Sequence, residues 1–280
     1  MTSHLATAPV STMDPQIRRA FDLCAAKTRA NIKMLADQPT SWAFAVNGSY
    51  SDWYEGFFEI GNWTTSFFTG MALLAWRETE DEHFIQQVSR LDPHYQAKVG
   101  EHSADTMHDL GFLYSLYSVA IYKLTGDPRQ RELGIKAAQV MADRFVPEGG
   151  YIRAWGRMDE PDTDYAGLAI IDCMMNLPLL HWASGETGDG RIKEIAIRHS
   201  EMTLAKFIRE DDSVYHAFRF DASGRPVGGG QLLRSRRRVA LGARHHLGDL
   251  WIRPRPPVHR RSALSRRLAA CRPQVHLSSR

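Results

Sequence analysis

A chain of 280 residues with 43% hydrophobic side chains can bury one large core or two smaller ones, and its formal charge of +3 conceals a sharp asymmetry. The first 230 residues hold 22 basic and 31 acidic side chains, whereas residues 231–280 hold thirteen arginines, no lysine and one acid, Asp249. The sequence pI of about 8.8 is therefore a property of the tail, and it excludes neither an acidic folded domain nor an acid-based site there.

In chain order, Met1–Pro15 has no basic start followed by an apolar stretch, so it reads as a loose leader and not as a signal peptide or membrane anchor. Cys24, Cys173 and Cys271 are odd in number and widely spaced, which argues against a disulfide scaffold or a zinc site and fits a reducing cytoplasm. Helix one is expected from about Asp14 to Leu35, with Asp14 as cap and Pro15 at its first position. Phe44–Phe58 reads as an aromatic loop led by Trp53 and Tyr54.

From Trp63 onward a unit recurs. An apolar helix, a Thr-Gly-Asp turn and an amphipathic return helix run from Asp109 through Thr125-Gly126-Asp127 to Phe145. They run again from Asp172 through Thr187-Gly188-Asp189 to Phe207, a period of about 62 residues. A shorter copy spans Trp63–Trp76, Thr79-Glu80-Asp81 and Phe84–Leu91. Each unit is an αα-hairpin, and its repetition predicts a stacked or closed all-α array over residues 16–230.

Two carboxylates stand in the apolar parts of these units. On a helix, Asp109 shares a face with Phe112, Leu113 and Leu116, and Asp172 with Leu168, Met175, Asn176 and Leu179. Burying an ionised carboxylate costs several kcal/mol unless it finds donors or takes up a proton, and a raised pKa suits a general acid. A structural reading of Asp109 as a residue favouring a helix N-terminus stands beside this, although Ser103 and Asp105 are better placed to cap. The acids of the loop Pro147–Asp164 are spread as solvated loop acids usually are, so no metal is assigned, and Gly228-Gly229-Gly230 lacks the lysine and helix of a phosphate loop.

Four motifs in order, Gly61-Asn62-Trp63-Thr64-Thr65-Ser66-Phe67-Phe68-Thr69-Gly70-Met71, Met107-His108-Asp109-Leu110-Gly111-Phe112, Tyr151-Ile152-Arg153-Ala154-Trp155 and Ile171-Asp172-Cys173-Met174-Met175-Asn176-Leu177-Pro178, resemble the unsaturated glucuronyl hydrolases of glycoside hydrolase family 88. The resemblance covers about Ala25 to Gly229, and the unsaturated rhamnogalacturonyl hydrolases are a neighbouring possibility. It implies an (α/α)6 toroid and removal of a 4,5-unsaturated uronic acid from the non-reducing end of lyase-generated oligosaccharides by hydration of the C4=C5 bond. It implies Asp172 as the general acid and base, Asp109 as its partner, and His108, Trp63, Trp155 and His216 as substrate-binding residues. The implied partner is an unsaturated uronic-acid oligosaccharide, with no cofactor, nucleic acid or membrane.

The tail from Gln231 to Arg280 has neither helical nor strand period. Arginine without lysine is what a GC-rich gene gives when read out of frame. Back-translated with permitted codons and read one base later, Arg236–Arg255 can yield Asp-Asp-Glu-Ser-Arg-Trp-Ala-Arg-Gly-Thr-Thr-Trp. That string resembles the family's next motif, Asp-Asp-Ser-x-Trp-Ala-Arg-Gly-Gln-Ala-Trp. The expectation is a shift of reading frame shortly after Gly229, a toroid incomplete at its C-terminus and a chain with little or no activity as written.

Overall fold

The computed structural model describes residues 14–37, 44–46, 49–51, 63–160 and 165–230. Trp53, Tyr54, the first thirteen residues and the arginine-rich tail lie outside the described residues.

The first helix, α1 (Pro15–Asp37), begins where the proline predicts, and the Gln16 N–H donates to the Asp14 carboxylate at 2.8 Å. The short strands β1 (Phe44–Val46) and β2 (Ser49–Ser51) pair antiparallel. Next come α2 (Thr65–Thr79), α3 (Glu82–Ser89) and α4 (Asp92–Val99). The second hairpin pairs α5 (Leu110–Tyr114), a π-turn at Ser115–Val119 and α6 (Ala120–Thr125) with α7 (Pro128–Ala142). The third pairs α8 (Leu177–Thr187) with α9 (Gly190–Lys206). The helices α2, α5 and α8 touch one another in succession, while α3, α7 and α9 lie against them as an outer layer.

The recurring turn is built alike each time. The Thr125 and Thr187 hydroxyls donate back to the carbonyls of Ile121 and Ala183, both at 2.8 Å, and accept the N–H of Asp127 and Asp189. Each aspartate then caps the next helix by accepting the N–H of Arg129 or Arg191, both at 2.9 Å. Gly126 and Gly188 supply the left-handed residue between them, with φ of 74° and 75°. Glu80 holds that place in the first hairpin with φ of 54°.

The main core joins Ile32, Leu73, Phe84, Leu91, Leu113, Ala137, Met141 and Leu180 across the two layers. Its polar members find partners: the rings of Tyr95 and Tyr117 stack at 3.7 Å, and the Tyr114 hydroxyl donates to the Tyr95 carbonyl at 2.7 Å.

The connections between hairpins hold strands that helical periodicity does not reveal. β3 (Phe145–Val146) pairs with β4 (Tyr151–Ile152), and β5 (Leu168–Ile170), β6 (Ala217–Phe220) and β7 (Pro226–Gly230) form an antiparallel sheet in that order. This sheet has its own core of Tyr151, Ala169, Met202, Phe207, Phe218 and Phe220.

One expectation is corrected here. Neither acid lies on the face of a continuous helix. Asp172 sits in a 3-10 turn, Ile171–Met175, between β5 and α8, and Asp109 is the residue before α5. The apolar run Leu168–Ile171 carries two adjacent β-branched residues and pairs as a strand, while Pro178 has no N–H and belongs in a first helical turn. Each acid lies instead where an inner helix begins.

Candidate active site

Two turns bring the acids together. The His108 N–H donates to the Ala154 carbonyl at 3.1 Å, which fastens the Asp109 turn to the segment after β4. The Ile171 N–H donates to the His216 carbonyl at 3.0 Å, which fastens the Asp172 turn to the residue before β6. Asn176, wholly buried, accepts the Phe112 N–H at 2.6 Å and donates to the Asp172 carbonyl at 3.3 Å, so one amide spans both turns.

The Asp109 side chain is 16% exposed. Burial, and then the charge of Asp172, push its carboxyl up to about 7, against the opposing pull of Arg144 and Lys98. Asp109 therefore stores a proton close to neutral pH. Lys98, buried at the end of α4, is pushed down to about 8 by its burial, while Asp105 and Asp109 hold it up. His108 is entirely buried, and burial together with Arg144 pushes its ring down to about 3, so it is neutral. Its Nε2 lies 3.4 Å from Asp109 Oδ1, and neither ring nitrogen has a hydrogen-bond partner. The ring thus stands behind Asp109 and not on an open wall. No face of the ring reaches the surface, and the contact it makes is with the acid.

The remaining expected residues line the surroundings. Trp63 is 42% exposed and packs with Phe67 and Phe112, all three ring centroids lying 5.4 to 5.7 Å apart. Since Phe112 is in the first turn of α5, this cluster adjoins the Asp109 turn. Trp155 meets Tyr165 edge-on at 6.0 Å, and its loop is held by Arg153, which donates to the Trp155 carbonyl at 2.9 Å. His216 is exposed and lies near enough to His108 to act on it electrostatically.

Sequence reasoning passed over Arg144, Lys98 and the bridging role of Asn176. Arg144 is fully buried and donates to three backbone carbonyls: Arg153 at 2.9 Å, Thr106 at 2.5 Å and Gly156 at 3.0 Å. It locks together the strand, the Asp109 turn and the Trp155 loop, and keeps a positive charge beside the acids even though burial pushes it down to about 10. Nothing in Asp143-Arg144-Phe145 marks it, since an arginine near a helix end ordinarily faces water. Arg144→Met should leave three buried acceptors unpaired at about 1–3 kcal/mol each. A fall of at least about 3 kcal/mol in urea-unfolding stability is the expected result, and a fall below about 1 kcal/mol would show that water replaces the guanidinium.

A cavity of about 580 Å³ lies elsewhere, between α4 and α7, lined by Gln96, Arg129, Gln130 and Lys136 among others. It contains neither acid. Among the described residues, no group of three His, Cys, Asp or Glu side chains gathers to hold a metal, and no helix is long and apolar enough to cross a membrane.

Known proteins resemble the chain over part of their length. The chain is 34% identical over 214 residues to the unsaturated chondroitin disaccharide hydrolase of Streptococcus pyogenes serotype M1, covering 76% of this chain and 51% of that one. It is 35% identical over 170 residues to the unsaturated glucuronyl hydrolase of Bacillus sp. strain GL1, covering 60% of this chain and 45% of that one. The crystal structure of the unsaturated glucuronyl hydrolase from Bacillus sp. GL1, described as responsible for the degradation of glycosaminoglycan, superposes with a TM-score of 0.68 at 31% identity. That superposition covers 76% of this chain and 55% of the other. A structure of such a hydrolase with dGlcA-Glc-Rha-Glc superposes with a TM-score of 0.64 at 30% identity, covering 75% of this chain and 55% of that chain. The chain spans about half the length of the curated relatives it matches. No family model matches. The fold is accordingly part of an (α/α)6 toroid, with α2, α5 and α8 among its inner helices.

Proposed function

We propose, from the kinship of this chain with the unsaturated glucuronyl hydrolases over about half their length, that it carries the acid pair of a hydrolase that removes a 4,5-unsaturated uronic acid from the non-reducing end of an oligosaccharide. The observation that supports this most is the meeting of two carboxylates from sequence-distant turns at the starts of adjacent inner helices, with Asp109 raised by burial and then by Asp172, and a half-exposed indole beside them.

The chemistry asks for a proton at C4 and a water oxygen at C5. Asp172, in this reading, acts from its protonated form: it gives its proton to C4 and recovers one from the water that adds at C5, so the acid is regenerated and the net change is addition of one water across the double bond. The hemiketal so formed opens its ring and releases the neighbouring sugar. Asp109 holds a proton to about pH 7, so it can donate a hydrogen bond to a sugar hydroxyl while staying neutral beside Asp172. Trp63 and Trp155 offer faces for the flat unsaturated ring, and His216 a polar edge. His108 contributes through Asp109, which it backs.

The test is incubation with an unsaturated chondroitin disaccharide, following loss of the absorbance of the conjugated double bond. Slow loss is expected with the 280-residue chain and rapid loss with a chain whose frame after Gly229 is restored. No loss with either chain, both folded by circular dichroism, would overturn the reading.

A further inference from the structure

The first turn of a helix leaves backbone N–H groups without partners, and the residue preceding it normally supplies a side-chain oxygen to the N–H two or three places on. Asp109 stands in that position for α5, and aspartate is among the best residues for the task, yet its side chain makes no capping bond. Phe112, three residues on, donates instead to Asn176 Oδ1 at 2.6 Å. Asn176 comes from the other acid's turn, where its amide nitrogen donates to the Asp172 carbonyl at 3.3 Å. The close approach depends on Gly111, because a β-carbon there would overlap the Cα and carbonyl oxygen of Asn176.

We infer that Asn176 caps α5 from across the site, and that by occupying the Phe112 N–H it keeps the Asp109 carboxyl out of its ordinary capping role and turned toward Asp172. Asn176 and Gly111 are thereby positioning residues for the acid pair. The inference deepens the function proposed above, but its geometry stands whether or not the chain turns over an unsaturated sugar.

A vacated Phe112 N–H would offer Asp109 a hydrogen bond to its ionised form, and that favours ionisation. Burial acts on Asp109 first, then Asp172, Arg144 and Lys98, and the neutral His108 lies against it. Only the distance to Asp172 and the capping bond should change in the variants.

The experiment is a carboxyl-carbon NMR titration of the aspartate-labelled 280-residue chain, with the Asp109 signal assigned by its loss in Asp109→Asn. The parent midpoint should lie near 7. In Asn176→Ala it should fall below about 5, into the ordinary carboxylate range. Asn176→Asp keeps an acceptor oxygen for Phe112 and should hold the midpoint high. Gly111→Ala pushes the two turns apart without deleting a hydrogen-bonding group and should lower the midpoint as Asn176→Ala does, so it serves if Asn176→Ala does not fold. An unchanged midpoint in either Asn176→Ala or Gly111→Ala would overturn the trans-capping role. In the frame-restored chain, Asn176→Ala should lower kcat on the disaccharide about 10²-fold with KM nearly constant, the signature of a misplaced catalytic group. A midpoint that falls while the folded, frame-restored chain shows no turnover would sustain the cap and reject the hydrolase reading.

Discussion

Asp172→Asn in the frame-restored chain should reduce turnover of an unsaturated disaccharide by about 10²- to 10⁴-fold while leaving its affinity within a few-fold, because the amide keeps the shape but cannot deliver a proton. Steady-state kinetics with calorimetric binding would measure both, and turnover within threefold of the parent would refute the assignment. Asp109→Asn tests the partner differently. The folded state raises Asp109 from 3.8 to about 7, so its stabilising contribution is complete below the ordinary carboxylate value and is lost as pH climbs through 7. Asp109→Asn should therefore be more stable than the parent at pH 8 and indistinguishable from it near pH 3, yet severely impaired in turnover. The parent's kcat/KM should decline above pH 7 as Asp109 gives up its proton, and that limb should vanish in Asp109→Asn. A variant that is both destabilised at pH 8 and active would assign Asp109 to helix architecture instead.

Restoring the reading frame after Gly229 should convert a nearly inactive, self-associating chain into an active one. The motivation is first compositional, since thirteen arginines without lysine end a chain whose earlier part is acidic and draws its basic residues from both lysine and arginine. The described residues add a structural reason. On α2, Phe67, Met71 and Leu74 follow the spacing of one helix face, and they are 41%, 47% and 52% exposed. Covering the exposed half of three such side chains is worth roughly 2–5 kcal/mol, a sizeable part of a domain's net stability of about 5–15 kcal/mol. An open inner face of this kind invites association. Sequencing the gene across codon 229, followed by light scattering and disaccharide turnover of both chains, decides the matter. A single intact frame, or a 280-residue chain that is monomeric with turnover equal to the restored form, would overturn it.

Much of the layout was legible before any coordinates. The Thr-Gly-Asp turns are local chemistry, in which threonine, a left-handed residue and a capping aspartate act within a few residues of each other, so Thr125-Gly126-Asp127 and Thr187-Gly188-Asp189 mark their hairpins unaided. Asp14 and Pro15 fix the start of α1 in the same way. Carboxylates set in apolar sequence then singled out Asp109 and Asp172, 63 positions apart, with the resemblance adding their roles, and the structure brings their turns together. The tertiary structure alone decided what depends on contacts between distant segments. Strand β5 forms because Phe218 and its neighbours in β6 are there to pair with it, which apolar composition cannot distinguish from a helix. Arg144 is a buried clamp because three carbonyls from Thr106, Arg153 and Gly156 converge on it, and His108 lies behind Asp109 because the turn is tied to Ala154. Which acid holds a proton at neutral pH was likewise beyond the sequence, since it depends on burial and on the distances to Asp172, Arg144 and Lys98. Hydrogen bonds a few residues long are written in a sequence, whereas the environment of a buried charge is the sum of groups that only folding assembles.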